Sequence, residues 1–121
     1  KKNYSDVTAD LVKLYLRKYR KKLQFTMSKY AAIYRTNTGL KNALRKTKML
    51  LNGIASCRFD YSETTKISNT LKTFLELRNM STTSYIIVKS ALMRKESRGL
   101  HYNVDKPNKS PKPLNTIITK K

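Results

Sequence analysis

Residues able to do acid–base or ionic chemistry gather in one short stretch, Met-Arg-Lys-Glu-Ser-Arg-Gly-Leu-His-Tyr-Asn-Val-Asp-Lys-Pro, from Met93 to Pro107. It contains the single histidine of the chain, His101, and two of its seven acids, Glu96 and Asp105. A histidine changes charge near neutral pH, so His101 is chemically able to act as a general base. No nucleophile at a recognisable spacing stands with it, however. A lone histidine just past a helix is more often a hydrogen-bonded structural group. Cys57 is equally solitary, and a metal site needs several ligands. The sequence therefore offers no catalytic residue and no metal ligand.

What remains is an ionic cluster: Arg94, Glu96, Arg98, His101 and Asp105. Helical spacing carried through this region puts Glu96 in the last turn of a helix. Backbone carbonyls make that end partially negative, which suits Arg94, Lys95 and Arg98 but not a glutamate. A cation or a row of amides is expected to meet Glu96. That partner lies either inside the same domain or on a neighbouring one, so the five residues are candidates for a domain interface. Gly99 is placed to close the helix in a left-handed conformation.

Dinucleotide binding asks for clustered glycines between a strand and a helix, where backbone amides meet the pyrophosphate. Gly39, Gly53 and Gly99 are far apart and follow no expected strand. No residue of this chain is therefore assigned to a cofactor.

The elements that must position the cluster are helical. Val12, Leu16, Tyr19, Leu23, Met27, Tyr30 and Tyr34 recur at steps of three or four and predict a first helix near 8–35. Ser5, Asp6 or Thr8 suits its cap. Asn37, Thr38 and Gly39 break the pattern. Leu40, Ala43, Leu44, Leu50, Leu51 and Ile54 predict a second helix near 39–56, weakened toward its end by Gly53. A loop over 57–62 follows, with Asp60 and Glu63 spaced as a capping box. Ile67, Leu71, Phe74, Leu77, Met80, Tyr85, Val88 and Leu92 predict a third helix near 61–98, with Phe74 and Leu92 in the core. Ser81 to Ser84 are four poor helix formers inside it, allowing close helix approach or a bend. The fold class expected is all-α, an antiparallel three-helix bundle over 1–105 with no sheet. Residues 106–121 hold all three prolines and five lysines and read as an irregular basic tail, mobile unless another surface holds it.

The chain carries 27 Lys and Arg against 7 Asp and Glu, a net charge of +20. Such a field attracts polyanions without a designed site. The lysines and arginines of the first helix lie opposite its apolar stripe, as a solvated face does, and no zinc-finger, zipper or RNP pattern is present. Nucleic acid is thus expected to bind only non-specifically. Lys89 and Ser90 interrupt the longest apolar run, so no membrane span is expected. The single cysteine fits a reducing compartment, and the opening Lys-Lys-Asn, without methionine or apolar leader, reads as the start of a fragment.

Glu-Leu-Arg-Asn-Met at 76–80, and Ile-Val-Lys-Ser-Ala-Leu-Met-Arg-Lys-Glu-Ser-Arg-Gly-Leu-His-Tyr-Asn-Val-Asp-Lys-Pro at 87–107, resemble the C-terminal helical domain of the L-aspartate oxidase family. Residues 27–44 resemble an earlier helix turn of the same domain, and the resemblance covers most of 20–107. The succinate dehydrogenase and fumarate reductase flavoprotein subunits share the Arg-x-Glu-Ser-Arg-Gly-x-His core, usually with alanine where this chain has Leu100. The family usually reads Asp-Tyr-Pro where this chain has Lys106 between Asp105 and Pro107. The resemblance implies a cytoplasmic parent enzyme with an FAD-binding domain, a capping domain and this helical domain. That parent oxidises L-aspartate to iminoaspartate through FAD, toward quinolinate and NAD. The family's flavin fingerprint and substrate-binding residues map to the other two domains, so this chain alone is expected neither to bind FAD nor to turn over aspartate. A flavoprotein subunit of succinate dehydrogenase or fumarate reductase, and a free-standing basic nucleic-acid-binding bundle, are the alternatives.

Overall fold

A computed structural model describes the backbone of residues 4–57 and 66–120 and the side chains of residues 11–57 and 69–120. Three helices dominate: α1 (Tyr4–Tyr30), α2 (Asn37–Ala55) and α3 (Lys66–Met93). Two short strands, β1 (Tyr34–Arg35) and β2 (Tyr102–Asn103), pair in parallel. All three expected helices are present, but a sheetless chain is not what forms. The expected loop and the Asp60–Glu63 box fall mainly on residues outside those described.

The boundaries differ from the periodicity for identifiable reasons. The backbone of α1 is already helical at Tyr4, so Ser5, Asp6 and Thr8 lie within it. It ends at Tyr30, five residues earlier than expected. Thr36 is the N-cap of α2, and a cap needs extended backbone; its φ of −127° and ψ of 152° supply it. The chain must therefore leave the helix beforehand, and Tyr34 becomes an exposed strand residue rather than core. Thr36 Oγ1 accepts from the Gly39 amide at 3.0 Å. Gly39 itself is packed tightly, since a Cβ there would sit 2.9 Å from Thr36 Oγ1 and 3.3 Å from Tyr30 Cδ1.

At its other end α2 closes on Ser56, whose amide donates to the Asn52 carbonyl. Gly53 answers a packing need there: a Cβ would lie 2.7 Å from the Tyr19 hydroxyl.

α3 buries Phe74, Leu77, Ser81, Ser84, Val88 and Ala91, alternating steps of three and four. The hydroxyl residues do not break the helix. Ser81, fully buried, donates its hydroxyl proton to the Leu77 carbonyl at 2.8 Å and so carries no unpaired group into the core. Tyr85 and Leu92, expected on the buried stripe, are only half-buried beside it.

The interior divides into two apolar clusters. In the first, Leu16 and Leu23 of α1 meet Leu50 and Ile54 of α2 and Phe74 and Leu77 of α3. In the second, Leu40 and Ala43 of α2 meet Val88 and Ala91 of α3, with Met27, Tyr30 and Leu92 packed against them. Among the described residues no helix is long and apolar enough to cross a membrane.

Candidate functional site

α3 stops at Met93, so Glu96 lies three residues past the helix rather than in its last turn. The helix ends because the following backbone finds other partners. The Arg94 amide still donates to the Ser90 carbonyl, whereas the Ser97 amide donates to Asn108 in the tail. Arg98 and His101 then exchange two backbone hydrogen bonds, at 2.9 and 3.1 Å, around a two-residue turn of Gly99 and Leu100. Gly99, with φ of 59°, is left-handed as expected, but it serves this turn and not a helix end.

Three of the five candidate residues come together. Glu96 Oε2 accepts from Arg98 Nε at 3.1 Å and from the Ser110 amide at 2.8 Å, and Glu96 Oε1 accepts weakly from an Arg94 guanidinium nitrogen at 3.4 Å. Arg98 also donates to the Ser110 carbonyl at 2.7 Å, and Arg94 to Thr116 Oγ1 at 3.3 Å. Only 8 % of the Glu96 side chain is exposed, although the site lies near the surface of a small bundle. The cations and the amide expected around Glu96 are thus residues of this chain, and they fasten the basic tail onto the segment after α3. The Ser110 amide above all, and the two arginines, hold the Glu96 carboxyl below the usual carboxylate range against the opposing effect of burial.

His101 belongs to a second cluster. Arg35 Nη1 lies 2.9 Å from His101 Nδ1. A guanidinium has no lone pair to offer, so Nδ1 accepts and the ring is neutral with its proton on Nε2. Burial first, and then the Arg35 charge, push the imidazole below its ordinary value, while the Arg94 carbonyl and Glu96 pull the other way. Nε2 is buried without a partner at hydrogen-bonding geometry.

Asp105 sits elsewhere again. Its Oδ2 accepts from the Asn37 amide, the first of α2, at 2.7 Å. A carboxylate at a helix N-terminus is favoured by the dipole, so Asp105 ties the chain's later half to α2 as a second cap beside Thr36.

Sequence reading missed the residues that link these clusters. Asn103, 1 % exposed, donates from Nδ2 to Asn37 Oδ1 at 2.9 Å, and its Oδ1 accepts from the Asp105 amide at 3.0 Å. Ser97 Oγ accepts from the Asn103 amide at 2.9 Å and donates to the Lys106 carbonyl at 2.7 Å. Val104 donates its amide to the Arg35 carbonyl, completing the β1–β2 ladder. The available signal was alternation: His101 and Asn103 are the polar members of a Leu-His-Tyr-Asn-Val run.

The titrations give a pH prediction. The folded-state values of Glu96 and His101 are both lowered, so the folded protein binds fewer protons than the unfolded chain, and stability rises with pH. The His101 contribution is complete above its ordinary value of 6.5 and is lost as pH falls through its folded value. The Glu96 contribution is complete above 4.5 and is lost at lower pH. Urea midpoints are expected to fall between about pH 7.5 and about pH 5.5, and His101→Gln is expected to flatten that fall. Glu96→Gln is expected to lower the midpoint at neutral pH and to remove the additional loss at the acid end.

The site does not fit a flavin. The junction between β1 and α2 is the single residue Thr36; the first glycine after it, Gly39, lies inside the first turn of α2 and its Cβ position is filled. Two amides at the start of α2 are already given to Asp105 and Thr36. No pyrophosphate can take their place without displacing both. Among the described residues no group of three metal-ligating side chains occurs either.

Residues 20–115 match the family described as fumarate reductase flavoprotein C-term. The chain is 38% identical to the L-aspartate oxidase of Pseudomonas aeruginosa over 89 residues, covering 74% of this chain and 15% of that protein. It is 41% identical to the L-aspartate oxidase of Yersinia pestis over 96 residues, 79% of this chain and 17% of the relative. Similarity extends to the fumarate reductase flavoprotein subunit of Mycobacterium tuberculosis, with 34% identity over 90 residues, 74% of this chain and 15% of the relative. The matched region therefore spans only between 15 and 17% of the length of these curated relatives. A helical bundle whose post-helix segment, tail and α2 N-terminus are joined through Glu96, Arg98, Asn103 and Asp105, matched over most of its length, belongs to the fumarate reductase flavoprotein C-terminal family.

Proposed function

We propose that this chain is the C-terminal helical domain of an FAD-dependent L-aspartate oxidase. The observation that carries the reading is the identity of 38 to 41% to several L-aspartate oxidases across most of the chain. The whole protein oxidises L-aspartate to iminoaspartate in the cytoplasm. Its FAD takes the two electrons and passes them to oxygen or fumarate. The flavin and substrate are held by the FAD-binding and capping domains of the same polypeptide. The filled space at Gly39 and the engaged amides at the start of α2 support that division of labour.

On this reading the present domain is structural. Arg94, Glu96, Arg98, His101 and Asp105 serve the interface by holding the segment after α3 in one shape, so that it presents a fixed surface to the flavin body. Contacts with nucleic acid are limited to non-specific, salt-sensitive attraction to the positive charge.

A second reading is a fumarate reductase or succinate dehydrogenase flavoprotein subunit, favoured by the family description and by the fumarate reductase relative at 34% identity. Expression of the full open reading frame separates the two. Flavin-containing protein that consumes L-aspartate with formation of hydrogen peroxide, or with reduction of fumarate, is the expected result. Interconversion of succinate and fumarate with no response to aspartate would defeat the first reading and leave the second.

A further inference from the structure

Successive side chains of an extended segment point to opposite faces. Along the short extended run His101–Asn103, His101 and Asn103 face inward, to Arg35 and Asn37. Tyr102 of β2 faces the other way and is 40 % exposed, and Leu100 in the turn before the strand and Val104 just after it are 97 and 46 % exposed. Tyr34, in register with Tyr102 and 74 % exposed, extends that face across the strand pair. The two tyrosine rings meet edge to face, 5.7 Å between centroids. A sheet with one face in water normally turns its polar residues outward. Here the pattern is inverted: the polar residues are spent on the hydrogen bonds that anchor the pair to α2, and the apolar ones are left in solvent.

Other exposed apolar residues among those described stand beside charged ones: Met93, Leu114 and Ile117 line a cavity with Arg94, Lys95, Glu96 and Lys112, and Phe25 and Met49 line another with Lys22 and Lys46. Leu11, Leu14 and Phe25 are interleaved at helical spacing with Lys18 and Lys22 on one side of α1. The Tyr34–Leu100–Tyr102–Val104 face carries no charged side chain, in a chain of net charge +20. Nothing in it attracts a polyanion, and its complement is an uncharged apolar surface.

We infer that this outer face of the β1–β2 pair docks against the flavin-binding body of the full-length enzyme. The inference rests on the function proposed above. Relatives are several times longer than the matched region, so most of such a polypeptide is tethered to this domain. A tethered surface meets the face at an effective concentration in the millimolar range, which a second copy reaches only in concentrated solution. The face thus differs from the ionic residues singled out by the sequence, whose hydrogen bonds are made within the domain.

The test is thiol labelling of the full-length protein carrying Leu100→Cys. An uncharged maleimide is used, and labelling is read by mass spectrometry on the peptide that contains position 100. Leu100 makes so little contact within the domain that its replacement leaves the bundle intact. Labelling at least about tenfold slower than that of a cysteine in an unstructured peptide is expected. Any faster rate overturns the inference. Tyr34→Cys, on the same face, is expected to behave alike and carries the test if the first variant misfolds. Protection that disappears on dilution to monomer gives the face to a second copy and also overturns it. Flavin content and aspartate turnover are measured on the same samples. Active, flavin-loaded protein that labels at the peptide rate defeats the docking surface while leaving the enzymatic reading intact. Protein with neither flavin nor turnover defeats that reading and the docking inference with it.

Discussion

Phe74→Ala is expected to destabilise the protein by about 3–5 kcal/mol, measured as a shift of the urea midpoint. Phe74 is buried among Leu16, Leu23, Leu50, Ile54 and Leu77, a cluster to which all three helices contribute. Removing its ring takes away apolar transfer energy and leaves a space that side chains fixed on three separate helices fill only in part. Leu92→Ala provides the internal comparison. The same spacing argument placed both residues in the core, yet Leu92 is half-buried at the margin of the second cluster. Its truncation is expected to cost roughly 1–2 kcal/mol, in proportion to the smaller area withdrawn from water. Equal losses would mean that the margin around Leu92 is covered in the folded protein. A loss below about 0.5 kcal/mol for Phe74 would remove it from the core altogether.

Asn103→Ala is expected to cost about 1–3 kcal/mol, a large effect for a residue with no apolar area to lose. The change leaves Asn37 Oδ1 and the Asp105 amide without the partners they have in the structure. It also loosens the tie between β2 and the start of α2, so that Asp105 no longer sits firmly at the Asn37 amide. Asn103→Asp discriminates among explanations. It keeps the acceptor for the Asp105 amide, loses the donor to Asn37 and buries a charge beside Asp105, so it is expected to be at least as harmful as alanine. Indifference to both changes would show that the second cap of α2 stands without Asn103.

The helices were legible because their buried faces recur at helical spacing over several turns, as Leu40, Ala43, Leu50 and Ile54 do. The places where reading failed share one cause. α1 was extended through Tyr34 and α3 through Arg98 because both segments are locally compatible with helix. Each is drawn out by hydrogen bonds to residues more than sixty positions away in one case and about ten to fourteen in the other. Such partners leave no trace in local periodicity. The Gly99 conformation was legible, since a left-handed residue was needed soon after the helix, but its purpose was not. Glu96 was legible as an anomaly: an acid in a basic region requires donors. That the donors include the Ser110 amide could not be read, because the tail has no period of its own. The apolar face around Tyr102 was hidden because the extended run after Gly99 is too short for alternation to signal a strand.

The parallel ladder of β1 and β2 has a consequence for the order of assembly. Tyr34 and Tyr102 are paired across the whole of α2 and α3, so their contact has a much greater sequence separation than those between successive helices. Joining them directly in the unfolded chain would close a long loop in return for a few hydrogen bonds, an unfavourable early step. Packing α2 against α1 and α3 shortens that loop beforehand. The strand pair is therefore expected to form last and to open first, so amides there should exchange with solvent through local opening and those around Leu77 only through global unfolding. The late-closing clasp expected on these grounds is the part that carries the outward apolar face.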